Sequence, residues 1–208
     1  EEGDMTNEED KGYFYMKKYV ENEGYQIKDI NLTKEASIPK TCTVLVMMGP
    51  KSKFTEIEIQ KVDDYLNRGG HAFIMIDPVF GFDKIALRDT GLNELFSKWG
   101  FEVRNDIIFF EQPIPEAFQK LFGRQLMPQA VVDAYETHDI TKDFKKRTSY
   151  PYARSLNKLA ATPEGVTITE IIKLTDPTYW GETNIQGISE KNILVDDKDN
   201  KAPLTIAL

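Results

Sequence analysis

One cysteine, Cys42, and two histidines, His71 and His138, are all that 208 residues offer of those chemistries. A single cysteine excludes an internal disulfide, which fits a reducing cytosol and equally a bacterial periplasm. Two His and one Cys far apart in sequence provide no zinc spacing. The chain has no G-x-x-x-x-G-K-[ST] and no G-x-G-x-x-G, so the usual phosphate cradles are missing. It has no G-x-S-x-G or G-x-C-x-G elbow for a nucleophile either. Cys42 stands before an apolar run, at the wrong end for such an elbow, and reads as a small buried hydrophobe. Positive charge is the scarcer sign: 26 Lys and Arg against 34 Asp and Glu leave a net charge of −8. That balance argues against nonspecific nucleic-acid binding, which needs clustered cations to displace counterions. No apolar run approaches the length of a membrane span, and no signal peptide is visible. The chain opens on Glu1-Glu2-Gly3-Asp4 without Met and is read as an excised soluble domain. These absences point to a protein without catalytic residues, cofactor or metal.

The richest stretch is Cys42 to Pro78. An apolar run, Val44 to Met48, ends at Gly49-Pro50. A helical pattern follows, then Gly69-Gly70, then a second apolar run, Ala72 to Ile76, which stops at Asp77-Pro78. Thr55 and Glu58 have the spacing of a capping box, with Phe54 and Ile59 at the staple positions. Ile59, Val62 and Leu66 mark one helical face, and Gly69 suits a left-handed C′ position. This is a βαβ unit. Runs apolar on both faces suggest a parallel sheet covered by helices, with ligands expected at the carboxyl ends of its strands. Those ends are Gly49-Pro50-Lys51 and Asp77-Pro78.

Elsewhere the pattern predicts a helix over 7–23 with Thr6 and Glu9 as a second capping box, and a strand over 25–32. A helix capped by Thr90 carries Leu92, Leu95, Phe96 and Trp99. A strand over 103–110 follows, then a short helix after Pro113 and Pro115 that carries Phe118, Leu121 and Phe122. After Gly123 the periodicity turns to strands: 127–135, 148–159, 166–174 and 204–208. The expected organisation is a Rossmann-like α/β part over 1–125 and a β-rich extension over 126–208 that packs on or continues the same sheet.

Each candidate binding residue also has a plain structural role open to it. Lys51 in Gly49-Pro50-Lys51-Ser52-Lys53 could meet an anion near a helix N-terminus, or simply lie in a strand-to-helix turn. Asp77 at a strand tip could contact a ligand or cap its own loop. Tyr152, Arg154, Tyr179, Trp180 and Glu182 have the chemistry of a sugar or peptide platform. They would equally make a structural corner in which Arg154 pairs with Glu182. Asp196 to Lys201 lacks the frame of a calcium loop and reads as a polar turn.

Taken in order, several landmarks resemble the GldG-like family of extracytoplasmic auxiliary proteins of ABC transporters. They are Gly49-Pro50, Thr55-x-x-Glu58, Leu66-x-Arg68-Gly69-Gly70 and Asp77-Pro78, then Leu95-x-x-x-Trp99-Gly100-Phe101-Glu102-Val103 and Asn105-Asp106. His138-Asp139-Ile140-Thr141, Pro151-x-Ala153-Arg154-Ser155 and Thr175-Asp176-Pro177-x-x-Trp180-x-Glu182 complete the set. The resemblance implies a mostly parallel, class I glutamine amidotransferase-like fold without a catalytic Cys. It implies a periplasmic domain anchored by membrane helices outside this chain, with an ABC permease and a separate ATPase subunit as partners. Some members are tied to gliding motility, and related domains in intraflagellar transport proteins act in assembly. The job implied is to bind a partner protein or an exported ligand, and the alternative is a carbohydrate-binding module built on the aromatic loop cluster. Two departures stand out: only Glu1-Glu2-Gly3-Asp4 remains where the family has a Gly-His-Gly-Glu-like turn, and Asn200-Lys201-Ala202-Pro203 replaces an Asp-x-x-Gly-Pro turn.

Overall fold

The capping box anticipated at Thr55 forms in full. In a computed structural model of the chain, Glu58 N–H donates to Thr55 Oγ1 (3.3 Å) and Thr55 N–H donates to Glu58 Oε2 (2.8 Å). The structure describes residues 12–80, 85–87, 89–189, 193 and 195–208. The chain forms two compact units, one of Glu1–Ile76 with Arg88–Leu95 and one of Asp77–Leu87 with Phe96–Leu208. This division does not follow the change of sequence character near residue 125.

The first unit holds α1 (Phe14–Asn22), β1 (Val44–Met48), α2 (Glu56–Asn67) and β2 (His71–Met75). The parallel βαβ unit is present: β1 and β2 pair in register from Val44↔His71 to Met48↔Met75, with α2 as the crossover. Leu45, Met47 and Met48 are buried, as are Ile59, Val62 and Tyr65 of α2. Tyr65 ties the helix to both strand starts. Its hydroxyl accepts from His71 N–H at 3.2 Å and lies 3.2 Å from the Thr43 carbonyl. Gly70 is required beside it, because a Cβ there would sit 2.5 Å from the Tyr65 ring. The opposite sheet face is open, with Val44, Val46 and Phe73 all exposed. The helix predicted over 7–23 is described as α1; its Thr6–Glu9 cap lies outside the described residues. Residues 25–31 are irregular, not the strand expected of their alternation. Asn31 turns the chain instead, its side chain accepting from Thr33 and Lys34 N–H.

α3 (Leu92–Lys98) follows Thr90, whose Oγ1 accepts from Leu92 N–H at 3.4 Å, and Leu92, Leu95 and Phe96 are buried as their spacing predicts. The second unit begins with the hairpin β3 (Val79–Phe80) and β4 (Ile85–Ala86). β5 (Phe101–Val103), β6 (Ile107–Glu111), α4 (Glu116–Phe122), β7 (Leu126–Met127), β8 (Gln129–Val132), β9 (Thr148–Pro151) and β10 (Leu156–Lys158) come next. The chain ends with β11 (Ile172–Leu174), β12 (Tyr179–Glu182), α5 (Ile185–Ser189), β13 (Asn200–Lys201) and β14 (Leu204–Ala207).

These strands overturn the Rossmann-like, mostly parallel sheet. Among the described residues β1–β2 is the one parallel pair. The sheets β11-β14-β10-β5, β13-β12-β6-β7, β3-β4 and β8-β9 are antiparallel throughout. The difference has a physical cause. Ile107-Ile108-Phe109-Phe110 is apolar at every position, the signature of a strand covered on both faces. β6 is so covered, but within an antiparallel sheet. Ile107 and Phe109 face a cluster with Trp180 and Ile188, while Ile108 faces another with Ala130, Val132, Ile172, Leu174, Tyr179 and Leu204.

Three expected strands are also interrupted. The run 103–110 becomes β5 and β6, which join different sheets, with Asp106 between them. The run 148–159 becomes β9 and β10, broken where Tyr152 takes φ 54°. That left-handed conformation costs a non-glycine residue about 1–2 kcal/mol and turns the chain sharply. Of 166–174, only the last three residues form a strand.

Candidate functional site

Both strand breaks converge on one buried carboxylate. Asp106 is fully buried, and its Oδ1 accepts from Ser155 N–H at 2.8 Å. Its Oδ2 accepts from Ser155 Oγ at 2.5 Å and from Asn200 Nδ2 at 2.7 Å. Backbone bonds flank the contact, Arg104 N–H to the Ser155 carbonyl and Ile108 N–H to the Ala153 carbonyl. Gly181 completes it, since any Cβ there would overlap the Asp106 carboxylate. Arg154 adds a guanidinium that donates to the Arg104 carbonyl through Nε (3.0 Å) and Nη2 (2.7 Å) and to Asn105 Oδ1 (3.0 Å). Burial lowers the Arg154 pKa, and the Asp106 charge partly offsets this. Chemically this is a closed junction. Both Asp106 oxygens are engaged, and the residues around it come from three other segments, at Ser155, Gly181 and Asn200.

A second polar cluster lies on the other face of β12. Glu182 and Asp199 are 2% and 6% exposed. Asp199 immediately precedes β13, whose Asn200 pairs with Gly181, and it accepts from the N–H of Thr183, the residue after Glu182, which brings the two carboxyls close together. Glu182 Oε1 accepts from Asn184 N–H at 2.8 Å; its Oε2 has no hydrogen-bond partner, and neither has the buried Trp180 indole N–H. Asp199 accepts from Thr183 and Asp196 N–H. Burial pushes the Glu182 carboxyl above its ordinary value. The Asn184 N–H pulls it back, the Asp199 charge and the close approach of its side chain add to the rise, and the nearby indole lowers it.

The six candidate residues fall in both units. Lys51 belongs to the first and is exposed. The N-terminus of α2 beyond it is already served by Thr55, Glu56 and Glu58, so its positive dipole end faces carboxylates. Asp77 is an exposed residue, yet enough protein surrounds its carboxyl for desolvation to raise its pKa. Arg154, Tyr179, Trp180 and Glu182 are all buried in the second unit. Arg154 turns to Arg104 and Asn105, not to Glu182. Tyr179 and Trp180 are neighbours on a strand and face opposite clusters. Tyr179 stacks on Phe110 (5.2 Å between centroids) and its hydroxyl donates to the Val131 carbonyl (3.1 Å). Trp180 stacks on Phe109 (5.8 Å). A sugar platform needs open aromatic faces, and these are covered. Tyr152, half-buried, packs against the Trp180 cluster.

β12 is hidden in the sequence because Asp176-Pro177 and Gly181 look like loop punctuation. The adjacent Tyr-Trp pair, high in β propensity, was the available signal. Asp106 stands out in the sequence only within the Asn105-Asp106 landmark, which carries no sign of its buried partners.

Residues 2–186 match the family model described as ABC-type uncharacterized transport system, that of its auxiliary proteins. The chain belongs to this family. No curated protein matches the sequence. Among solved structures, the N-terminal domain of mmIFT52 is similar at 17% identity with a TM-score of 0.47. The match covers 71% of this chain and 61% of that one, so the chain spans under two thirds of that relative's length. The matched family is one of auxiliary components of ABC-type transport systems. Among the described residues no helix is long and apolar enough to cross a membrane, and no group of three or more His, Cys, Asp or Glu is placed to hold a metal ion.

Proposed function

We propose that the chain is a non-enzymatic domain on the extracytoplasmic, periplasmic face of a bacterial ABC-type transport system. Helices outside this chain hold it at the membrane, and it binds a partner protein beside the permease. The family match over residues 2–186 carries this reading. The polar clusters add support, because the most reactive-looking side chains are spent on holding segments together. ATP hydrolysis then falls to a separate subunit, since the sequence offers no phosphate loop. An association with gliding motility follows from the resemblance to GldG-like proteins. Lys51 and Asp77, the exposed members of the six candidates, and the open face of Val44, Val46 and Phe73 are the surfaces we put forward for contact.

The test uses the full-length gene product, tagged at one end and extracted gently from membranes, with co-purifying proteins identified by mass spectrometry. Permease and ATPase in stoichiometric amounts are the expected result, reduced by Val46→Asp. A protein that purifies alone from the soluble fraction, or a purified domain that hydrolyses ATP above a buffer control, overturns the reading.

A further inference from the structure

Two buried carboxyl groups side by side, one at the end of a strand and one at the entry to its neighbour, are a costly arrangement. Two carboxylates in one dry site cannot both stay ionised cheaply. Glu182 and Asp199 stand in that relation, and Glu182 Oε2 is enclosed without a hydrogen-bond partner. The same two side chains bind consecutive backbone N–H groups at the exit from β12. Asp199 Oδ1 takes Thr183 N–H at 3.0 Å, and Glu182 Oε1 takes Asn184 N–H at 2.8 Å. Asn184 in turn starts α5: its Oδ1 accepts from Gly187 N–H and its carbonyl from Ile188 N–H. Ile188 is buried with Ile107, Phe109 and Trp180.

We propose that Glu182 and Asp199 form a proton-dependent clasp that fastens the Thr183–Ser189 segment, closed while a proton on Glu182 bridges to Asp199 and loosened once Glu182 loses it. The proton sits on the Glu182 oxygen that otherwise has no partner. Few other charges face the pair among the described residues. Lys201, two positions along on the same face of β13, lies 3.9 Å from Asp197. Asp196 and Lys198 belong to the turn that Asp199 closes. The β6 neighbour of Glu182 is Ile107, and Thr183, Asn184, Ile185, Gln186, Gly187 and Ile188 carry no charge. Asp106 lies on the far face of β12, against Gly181.

The direction follows from linkage. Burial and the Asp199 charge raise the folded-state value of Glu182 above that of the unfolded chain. The clasp's contribution is therefore fully present below the ordinary glutamate value and is lost as pH rises through the raised one. Asn184 and the indole oppose the shift without reversing it. This inference goes beyond the transport assignment and does not depend on it.

The experiment is hydrogen exchange of the 183–189 amides in the full chain across a pH series, corrected for intrinsic exchange, with carboxyl carbon NMR on Glu182. Protection should fall with rising pH by about tenfold for each unit of displacement of Glu182. Glu182→Gln, which cannot ionise, should hold the segment protected with no pH dependence. Asp199→Asn should return the Glu182 titration toward its ordinary value. Wild-type protection that ignores pH, a Glu182→Gln variant with the wild-type slope, or a Glu182 carboxyl titrating at or below its ordinary value overturns the proposal. The NMR titration decides the matter on the wild-type chain if either variant fails to fold.

Discussion

Asp106 shows what one side chain does when several segments depend on it. Its carboxylate satisfies the Ser155 backbone N–H, the Ser155 hydroxyl and the Asn200 amide, all buried or half-buried. Asp106→Ala orphans all three donors and removes a negative charge that stabilises the buried Arg154 guanidinium, so it should cost about 3–5 kcal/mol. Urea denaturation measures this, and a loss under about 1 kcal/mol would show the junction to be incidental. Gly181→Ala forces a methyl group into the same carboxylate and should cost about 1–3 kcal/mol. Because the clash is with Asp106 itself, that penalty should shrink in an Asp106→Ala background. Additive effects in the double mutant would refute the shared contact.

Among the elements, α2 was the most legible and β12 the least. Local signals specify α2 completely: Thr55, Glu58 and the Ile59-Val62 spacing act within a few residues of one another, and the helix begins where they place it. Thr55→Ala should cost about 1 kcal/mol. The cap also has a pH signature. The Thr55 backbone N–H holds the Glu58 carboxyl below its ordinary value against desolvation, with smaller help from Thr33, Thr55 Oγ1 and Lys61. A depressed folded-state value means the contribution is present above the unfolded value and is lost as pH falls through the folded one. Thermal melts in mild acid should show wild type losing more stability than Glu58→Gln; parallel losses would remove the assignment. β12 behaves oppositely. Its sequence, Tyr-Trp-Gly-Glu, makes sense only between β6 and β13, where the glycine admits Asp106 and the glutamate meets Asp199.

For the whole molecule, the division into two units has a measurable consequence. Trp99 and Trp180 both belong to the second unit, whereas α1 and α2 belong to the first. Tryptophan fluorescence should therefore follow the second unit alone, while far-ultraviolet circular dichroism reports both. Separate cooperative blocks should give non-coincident urea transitions by the two probes. Coincident transitions would mean that the chain unfolds as one block.

Short-range chemistry determined the βαβ opening, the caps of α2 and α3, the position of α4 and the absence of any recognisable catalytic motif. Each depends on residues within a turn or two of one another, where spacing alone carries the information. The ordered landmarks also placed the chain among ABC-transport auxiliary proteins. The tertiary structure alone decided that the doubly covered strands run antiparallel, because apolar periodicity records burial and is blind to strand direction. It decided too that Arg154, Tyr179, Trp180 and Glu182 lie inside the second unit. Aromatic and charged side chains suit a ligand platform and a buried junction equally well, and only partners distant in sequence, Asp106, Asn105, Phe109 and Asp199, distinguish the two.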